Sequence, residues 1–382
     1  MTGSFAFSYG PRLVSGAGCA ERIADLLPEG PVLFVTDAMI IKLGLAQGAL
    51  AALAASGRDV TIASEVEADP SRITLEAVVA LGRKCGAASV VGFGGGSPMD
   101  VAKLAAYLLG SGDDLDAIWG VGNARGKGLP LVLAPTTAGT GSEATPVSII
   151  TLPGDEKRGV SSTALVAAYA VLDPVLTLGL PQHVTAATGM DAMVHAIEAY
   201  TSAHLKNPMS DLLAREALRL LAANLLVACE EPGNMAAREA MLLGAHLAGV
   251  AFANAPVAGV HALAYPLGGH FHVPHGLSNV LMLPHVLGFN MNAAMPLYAQ
   301  LGPLVDPALD GLGQQAQAQG LLEALRDMAA KAGMPAQLTA VGVSADDLDQ
   351  LAADAMLQER LLKNNPRPIT LRDARQLYEA AL

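Results

Sequence analysis

Between Ala240 and Val305 the chain carries no Asp, Glu, Lys or Arg. A stretch that long without formal charge belongs inside a folded domain or inside a bilayer, where about 20 apolar residues suffice to cross. Against a membrane span stand Pro256, Gly259, Pro266, Gly268 and Gly269, together with His246, His261, His270, His272 and His275. The run therefore reads as buried helices packed around a site, and its imidazoles are the polar exception that needs partners.

A partner lies upstream, in Gly189-Met-Asp191-Ala-Met-Val-His195-Ala-Ile-Glu198. Asp191 and His195 are four residues apart, so on a helix they project from one face. Taken alone, an Asp-x-x-x-His pair on an apolar helix is more often a core hydrogen bond between carboxylate and imidazole. Five histidines between His261 and His285 shift that balance, because a cation satisfies several buried imidazoles at once. One carboxylate with imidazoles suits a divalent first-row metal such as Fe(II) or Zn(II). His270, His272 and His285 fit substrate-facing, supporting or structural places equally, and His246 suits packing on a helix face.

At 382 residues the chain has room for two domains, each with its own core. Its hydrophobic share is 52% but its aromatic share only 4%, so Ala, Leu, Val and Gly supply the apolar character and favour close-packed helices over a sandwich. The net charge is -12 with Lys and Arg scattered, which excludes nucleic acid and other polyanions as partners. Cys19, Cys85 and Cys229 are isolated and odd in number, and the opening Met-Thr-Gly-Ser-Phe-Ala-Phe lacks a signal pattern. The odd, isolated cysteines fit a reducing cytoplasm, which is the expected location, and no membrane partner is expected.

Strand and helix alternate through the first half. Residues 5–14 alternate apolar and polar and suit a sheet edge. Cys19 to Leu27 reads as a helix, Val32 to Val35 as a strand, Leu45 to Ala55 as a helix and Val60 to Ala63 as a strand. Ser71 is placed to cap a helix from Thr74 to Cys85, and Ser89 to Phe93 is a third strand. Such alternation implies a parallel sheet covered by helices on both faces. Directly after the third strand comes Gly94-Gly95-Gly96-Ser97-Pro98-Met99-Asp100-Val101-Ala102-Lys103. Glycines here let backbone N–H groups turn toward an anion, and a helix starting near Pro98 aims its positive end at it, an arrangement that suits a pyrophosphate. An ordinary tight turn has the same look, but the position between a strand and a helix favours the nucleotide reading. No GxGxxG follows the first strand, so the fold is a variant of the dinucleotide type.

Leu131 to Ala134 is another strand, followed by the hydroxyl-rich loop Pro135-Thr136-Thr137-Ala138-Gly139-Thr140-Gly141-Ser142-Glu143-Ala144-Thr145. Val147 to Ile150 and Ala170 to Leu172 read as strands on either side of a loop holding Lys157 and Arg158. At Leu180-Pro181 strand signals stop, Pro181 suits the first turn of a helix, and the rest of the chain reads as helical. The expected domains are therefore residues 1–181 and 182–382, α/β followed by all-α. Ser344 and Thr370 open N-cap patterns for two late helices.

Other catalytic designs are missing. No Tyr is followed four residues later by Lys, no cysteine pair offers a zinc-thiolate site, and no G-x-S-x-G elbow is present. What the chain does hold resembles the iron-dependent (group III) alcohol dehydrogenase family, motif by motif and nearly end to end. The matching pieces are Gly94-Gly-Gly-Ser97…Asp100-Val-Ala-Lys103, Pro135-Thr-Thr-Ala-Gly-Thr-Gly-Ser-Glu143, Gly189-Met-Asp191…His195-Ala-Ile-Glu198, His261-Ala-Leu-Ala-Tyr-Pro-Leu-Gly-Gly…Pro274-His275-Gly276 and Asn365-Pro-Arg-Pro368.

The resemblance implies a Rossmann-like nucleotide domain followed by a helical metal domain, the dehydroquinate synthase-like architecture, with the active site in the cleft between. It assigns Asp191, His195, His261 and His275 as metal ligands and catalytic centre. It places Gly94, Gly95, Gly96 and Ser97 at the pyrophosphate turn, Asp100 near the nicotinamide, and Thr136, Thr137, Thr140 and Thr145 in the cofactor loop. Lys157 matches a cofactor-contacting lysine and Asp69 lies near the adenine. Asp37, ending the first Rossmann strand, suits a ribose 2′-hydroxyl and favours NAD over NADP. Some relatives carry a histidine where this chain has Tyr265, so a proton relay there would pass through His272 or solvent.

The implied activity is hydride transfer between NAD and a small primary alcohol or diol, with its aldehyde as product and Fe(II) or Zn(II) as the metal, in a homodimer or larger homo-oligomer. Alternatives are a Zn-dependent glycerol or polyol dehydrogenase, a metal-free maleylacetate reductase-type enzyme, a dehydroquinate synthase-type lyase and a non-catalytic nucleotide-binding module.

Overall fold

The structure is a computed structural model that describes residues 4–154 and 156–382; Met1 to Gly3, part of the opening segment without a signal pattern, lie outside the described residues. Two compact units emerge, Tyr9–Leu178 on one hand and Gly179–Leu382 with the segment ending at Ser8 on the other.

The first unit is built on alternation. Strands β1 (Arg12–Ser15) and β2 (Val32–Val35) precede helices α1 (Ala38–Lys42) and α2 (Gln47–Ala55). Then follow β3 (Val60–Ala63), α3 (Arg72–Cys85), β4 (Ser89–Gly94), α4 (Gly96–Ser111), α5 (Leu115–Ile118), β5 (Gly120–Val121), β6 (Leu131–Pro135), β7 (Val147–Leu152), β8 (Glu156–Ser161) and β9 (Tyr169–Leu172). Six strands form one sheet in the order β1-β9-β6-β4-β2-β3, with every neighbouring pair parallel. Because side chains alternate along a strand, Leu33, Val35, Val90 and Leu133 face α3 and α4, whereas Val32, Phe34, Val91 and Val132 face α2 and the 3-10 segment Cys19–Leu26. Helix α3 opens with Ser71 accepting from the Thr74 N–H (3.2 Å) and closes on Gly86 at φ 63°.

The strand order has a chemical consequence. From β2 the chain moves to β3 on one side, then returns to β4 on the other. The carboxyl ends of β2 and β4 thus flank a switch point, the place where open parallel sheets of this type bind ligands. Asp37 follows β2 and Gly94 ends β4, so both sit at that crevice.

Several local expectations need correction. Cys19–Leu26 is 3-10 rather than α-helical, and only Arg12–Ser15 of the opening alternation pairs, at the sheet edge beside β9. Lys157 and Arg158 lie on β8, which pairs antiparallel with β7 in a small second sheet completed by β5. Helix α4 begins at Gly96, and Pro181 is the residue before its helix rather than in the first turn.

The second unit is helical: α6 (Gln182–Thr201), α7 (Pro208–Glu230), α8 (Met235–Asn254), α9 (Gly259–Phe271), α10 (His275–Val305), α11 (Gln314–Lys331), α12 (Leu348–Met356), α13 (Glu359–Leu362) and α14 (Leu371–Ala381). Helix α6 is buried along nearly its whole length from Gly189 to Thr201 and packs against α7, α8 and α10. The charge-free run forms the end of α8, all of α9 and α10. By length and composition α10 passes the test for a membrane span, yet it packs on α6, α9 and α11 and starts with a histidine.

Candidate metal centre

Asp191 and His195 sit one turn apart on α6, His261 in the first turn of α9, and His275 opens α10. Two glycines permit this convergence. A Cβ on Gly189 would lie 2.5 Å from Leu225 and 2.6 Å from Met241, so its absence lets α7 and α8 close on α6. A Cβ on Gly276 would come within 2.4 Å of the Ala187 carbonyl oxygen, so only glycine lets the start of α10 reach α6 one turn below Asp191.

The four side chains meet. Asp191 Oδ1 is 3.9 Å from His195 Nε2, 3.9 Å from His261 Nε2 and 3.8 Å from His275 Nε2, and no two of the four donor atoms are more than 4.8 Å apart. Bonds of about 2.1 Å to a four-coordinate cation separate its donors by about 3.4 Å in a regular tetrahedron. The cage is thus slightly wider than a closed zinc site. Asp191, His195 and His261 are buried, while the His275 side chain remains 39% exposed and marks the accessible side.

The electrostatics fit a cation. Burial raises the Asp191 carboxyl, but the imidazoles of His195, His275 and His261 and the Asn279 amide outweigh it, and the group is held below the usual carboxylate range. Glu198, one turn beyond His195 on α6, lies 2.7 Å from His261 Nδ1 and also accepts from the Ala258 and Val260 N–H groups at 2.9 and 2.7 Å. With Nδ1 held by that carboxylate, the His261 Nε2 lone pair is directed at the cage, the carboxylate–histidine arrangement common behind metal ligands. Phe252 stacks on the His195 ring at 4.4 Å, and the Tyr265 ring lies 5.8 Å from that of His275, tilted by 52°. Three imidazoles and one carboxylate, with Glu198 behind one of them, match what a divalent first-row metal takes.

Four further histidines lie outside the cage. His270 Nε2 pairs with Asp354 at 2.5 Å, His272 ends α9 at φ 53°, His246 is buried in α8, and burial pulls the His285 imidazole below its ordinary value.

In the nucleotide unit, Gly94 has φ 147°, and a Cβ there would meet Pro98 at 2.9 Å and Asp37 Oδ2 at 3.4 Å. Gly95 is the N-cap of the 16-residue α4 without a side-chain cap, and Thr137 and Thr140 face Gly95 and Gly96. Ser97 is in the first turn. Asp37 Oδ1 accepts from the Ile40 N–H, capping α1. Thr136 is buried and its N–H donates to the Gly94 carbonyl.

Asp100 faces inward: its Oδ1 accepts from Ser142 at 2.6 Å and Lys103 at 3.2 Å, its Oδ2 from the Ile149 N–H. The Lys103 ammonium is wholly buried, donating also to Ser142, Thr145 Oγ1 and the Val147 carbonyl. Burial lowers its pKa against the opposing pull of Asp100 and Glu143. Asp69, at φ 52°, pairs with Lys157 at 2.6 Å on the surface.

Three contributors carried no assigned role in the sequence reading: Glu198, Asn279 and Lys103. Each had a signal, since each falls three or four residues after a singled-out residue on the same helix face (His195, His275 and Asp100).

The geometry agrees with the sequence comparisons. Residues 10–174 match the family model for iron-containing alcohol dehydrogenase, and residues 185–382 match that for the C-terminal part of the Fe-containing alcohol dehydrogenase family. The chain belongs to the iron-containing alcohol dehydrogenase family and is an oxidoreductase. It is 40% identical to long-chain-alcohol dehydrogenase 1 of Geobacillus thermodenitrificans, over 92% of this chain and 89% of that protein. Among solved structures it resembles a 1,3-propanediol oxidoreductase (32% identity, TM-score 0.94, covering 99% of this chain and 100% of that one). It also resembles sulfoacetaldehyde reductase from Bifidobacterium kashiwanohense in complex with NAD+ (28% identity, TM-score 0.88, covering 100% and 99%).

Proposed function

We propose that this protein is an NAD-dependent, metal-dependent alcohol dehydrogenase that interconverts a small primary alcohol or diol and its aldehyde. The observation that carries this reading is the meeting of Asp191, His195, His261 and His275, drawn from three helices of one unit. When bound, the cation, Fe(II) or alternatively Zn(II), supplies Lewis acidity and NAD supplies the hydride acceptor.

The chain's own residues do the rest. Asp191 and the three imidazoles hold the cation, and Glu198 fixes the tautomer of His261. Phe252, stacked on His195, gives the site an apolar wall that suits a short carbon chain. In the nucleotide domain, taken as residues 1–181, the N–H groups at Gly94, Gly95, Gly96 and Ser97 receive the pyrophosphate, and Thr137 and Thr140 line that turn. Asp37 accepts from the ribose 2′-hydroxyl and its charge repels a 2′-phosphate, which favours NAD over NADP. Asp100, with Lys103, Ser142 and Thr145, holds the loop after β6 against α4, so Thr136 to Thr145 keep their shape around the cofactor. Asp69 and Lys157 form the outer rim. The metal domain is residues 182–382. We further assign the protein to the cytoplasm as a homodimer or larger homo-oligomer, with small molecules rather than membrane or nucleic acid as partners.

The complete donor set disfavours a metal-free reductase, and net NADH formation from a simple alcohol excludes a lyase that uses NAD transiently. Replacing His261 with Ala tests the reading. The expected variant loses its metal and its turnover while still binding NAD. Full activity in a verified metal-free His261→Ala protein would overturn it.

A further inference from the structure

One polar side chain at the metal centre has no place in the four-ligand description. Asn279 lies on α10 one turn after His275, fully buried. Its Nδ2 is 2.6 Å from Asp191 Oδ1, 3.2 Å from His261 Nε2 and 3.3 Å from His275 Nε2. Those are three of the four donor atoms that converge on the cage, so the amide nitrogen points into the same space. The other end of the amide, Oδ1, is buried and without a hydrogen-bond partner.

These two facts conflict with a purely structural role once a cation is held. An NH2 group spends its hydrogens on lone pairs, and a cation takes the same lone pairs from Asp191, His261 and His275. Asp191 can serve both, but the single Nε2 lone pairs of His261 and His275 cannot, and a positive N–H edge facing a divalent ion is repulsive. Meanwhile a buried carbonyl oxygen without a donor costs about 1–3 kcal/mol. Turning the amide by half a revolution about Cβ–Cγ removes the repulsion and gives the oxygen a partner, with the NH2 taking the buried place that Oδ1 holds now, because nitrogen and oxygen occupy nearly the same positions in a carboxamide. The oxygen then faces the cation, and the partnerless atom acquires the strongest available partner.

We propose that Asn279 is a fifth, reversible donor of this metal centre: its amide nitrogen bridges Asp191, His261 and His275 in one orientation, and its Oδ1 binds the cation in the other. This rests on the metal-dependent reading above and deepens it. The cage, with edges of 3.8–3.9 Å from Asp191, is wider than a four-coordinate zinc site needs and has room for the longer bonds of a five-donor set. Adding a neutral oxygen to three nitrogens and a carboxylate makes the set harder and higher in coordination number, which shifts preference from zinc toward iron.

The test uses purified full-length protein, stripped with a chelator under anaerobic conditions and reloaded with Co(II), whose visible absorption is intense in four-coordinate sites and weak in five-coordinate ones. The wild type should give a weak band. Asn279→Leu, similar in volume but without donor atoms, should intensify that band several-fold and weaken Co(II) binding by about tenfold in a chelator-competition titration. Asn279→Asp, which presents oxygen in either orientation, should keep the weak band, and this variant serves should the leucine protein not fold. An unchanged spectrum and a dissociation constant within twofold of wild type in Asn279→Leu overturn the proposal, as does an intense four-coordinate band in the wild type or in Asn279→Asp. A His261→Ala control separates the two layers. If that variant binds Co(II) as tightly as wild type, the metal centre itself is wrong; if it loses Co(II) and Asn279→Leu is silent, only the fifth donor falls.

Discussion

At the scale of single residues, Glu198 is the most informative side chain after the four donors. A carboxylate buried to this degree is costly unless it is paired and hydrogen-bonded, and Glu198 is both, through His261 and two backbone N–H groups. Replacing it with Gln keeps the shape but removes the negative charge behind the ring, so His261 becomes a poorer ligand. Metal affinity of Glu198→Gln should fall by about 10–100-fold in chelator competition, whereas NAD binding stays unchanged. Affinity equal to wild type would show that the pairing merely fills space. The residue scale is also where legibility ran out unevenly. Asp191 and His195 declare themselves by spacing on an apolar helix. His261 and His275 could not be separated from His270, His272 and His285 by spacing, because the interval from α6 to α9 and α10 is set by packing; only the family resemblance singled them out. Asn279 is placed by its spacing one turn after His275, but that spacing does not reveal which atoms its amide meets.

At the scale of elements, the site depends on how closely helices approach. Gly276 lies where the start of α10 touches the Ala187 carbonyl of α6, and a methyl group there has no room. Gly276→Ala should push His275 away from Asp191, weaken metal binding and destabilise the fold by about 1–3 kcal/mol in denaturant unfolding, the usual cost of overpacking. A variant with unaltered stability and affinity would mean that α10 adjusts freely. The alternation of β2, α2, β3, α3, β4 and α4 was readable because the apolar runs are short and bounded by Gly, Pro and Asp. The β7–β8 hairpin was misread at its second strand. Glu156, Lys157, Arg158 and Gly159 have poor strand propensity, yet they pair antiparallel with Ile149 to Leu152 of β7. The 3-10 segment at Cys19–Leu26 likewise carries a helical apolar pattern that does not reveal its tighter winding.

At the scale of the whole molecule, the charge-free run from Ala240 to Val305 contributes one ligand in α9, another in α10 and the wall residue Phe252 in α8. Helices of this kind are stable when packed, and the buried imidazoles among them are satisfied in part by the cation. Its removal should therefore lower the thermal stability of the protein. A ligand present at a hundredfold excess over its dissociation constant stabilises by about 2.7 kcal/mol, which for a unit of roughly 200 residues is a fall in Tm of about 5–10 °C. Differential scanning fluorimetry before and after chelation measures it, and an unshifted Tm would mean that the helices are indifferent to the ion. The two-part plan, parallel sheet then helices, was visible from the texture of the chain, since composition and period change together near Leu180.

One further consequence concerns how damage would present itself. Glu198 grips the backbone where α9 begins and the His261 ring in the same pair of oxygens, across some sixty positions of chain. Fraying at that helix start, whatever its origin, would masquerade as poor iron uptake, and iron starvation would in turn soften a helix far downstream. Screens that score only catalytic turnover would file both lesions under one heading.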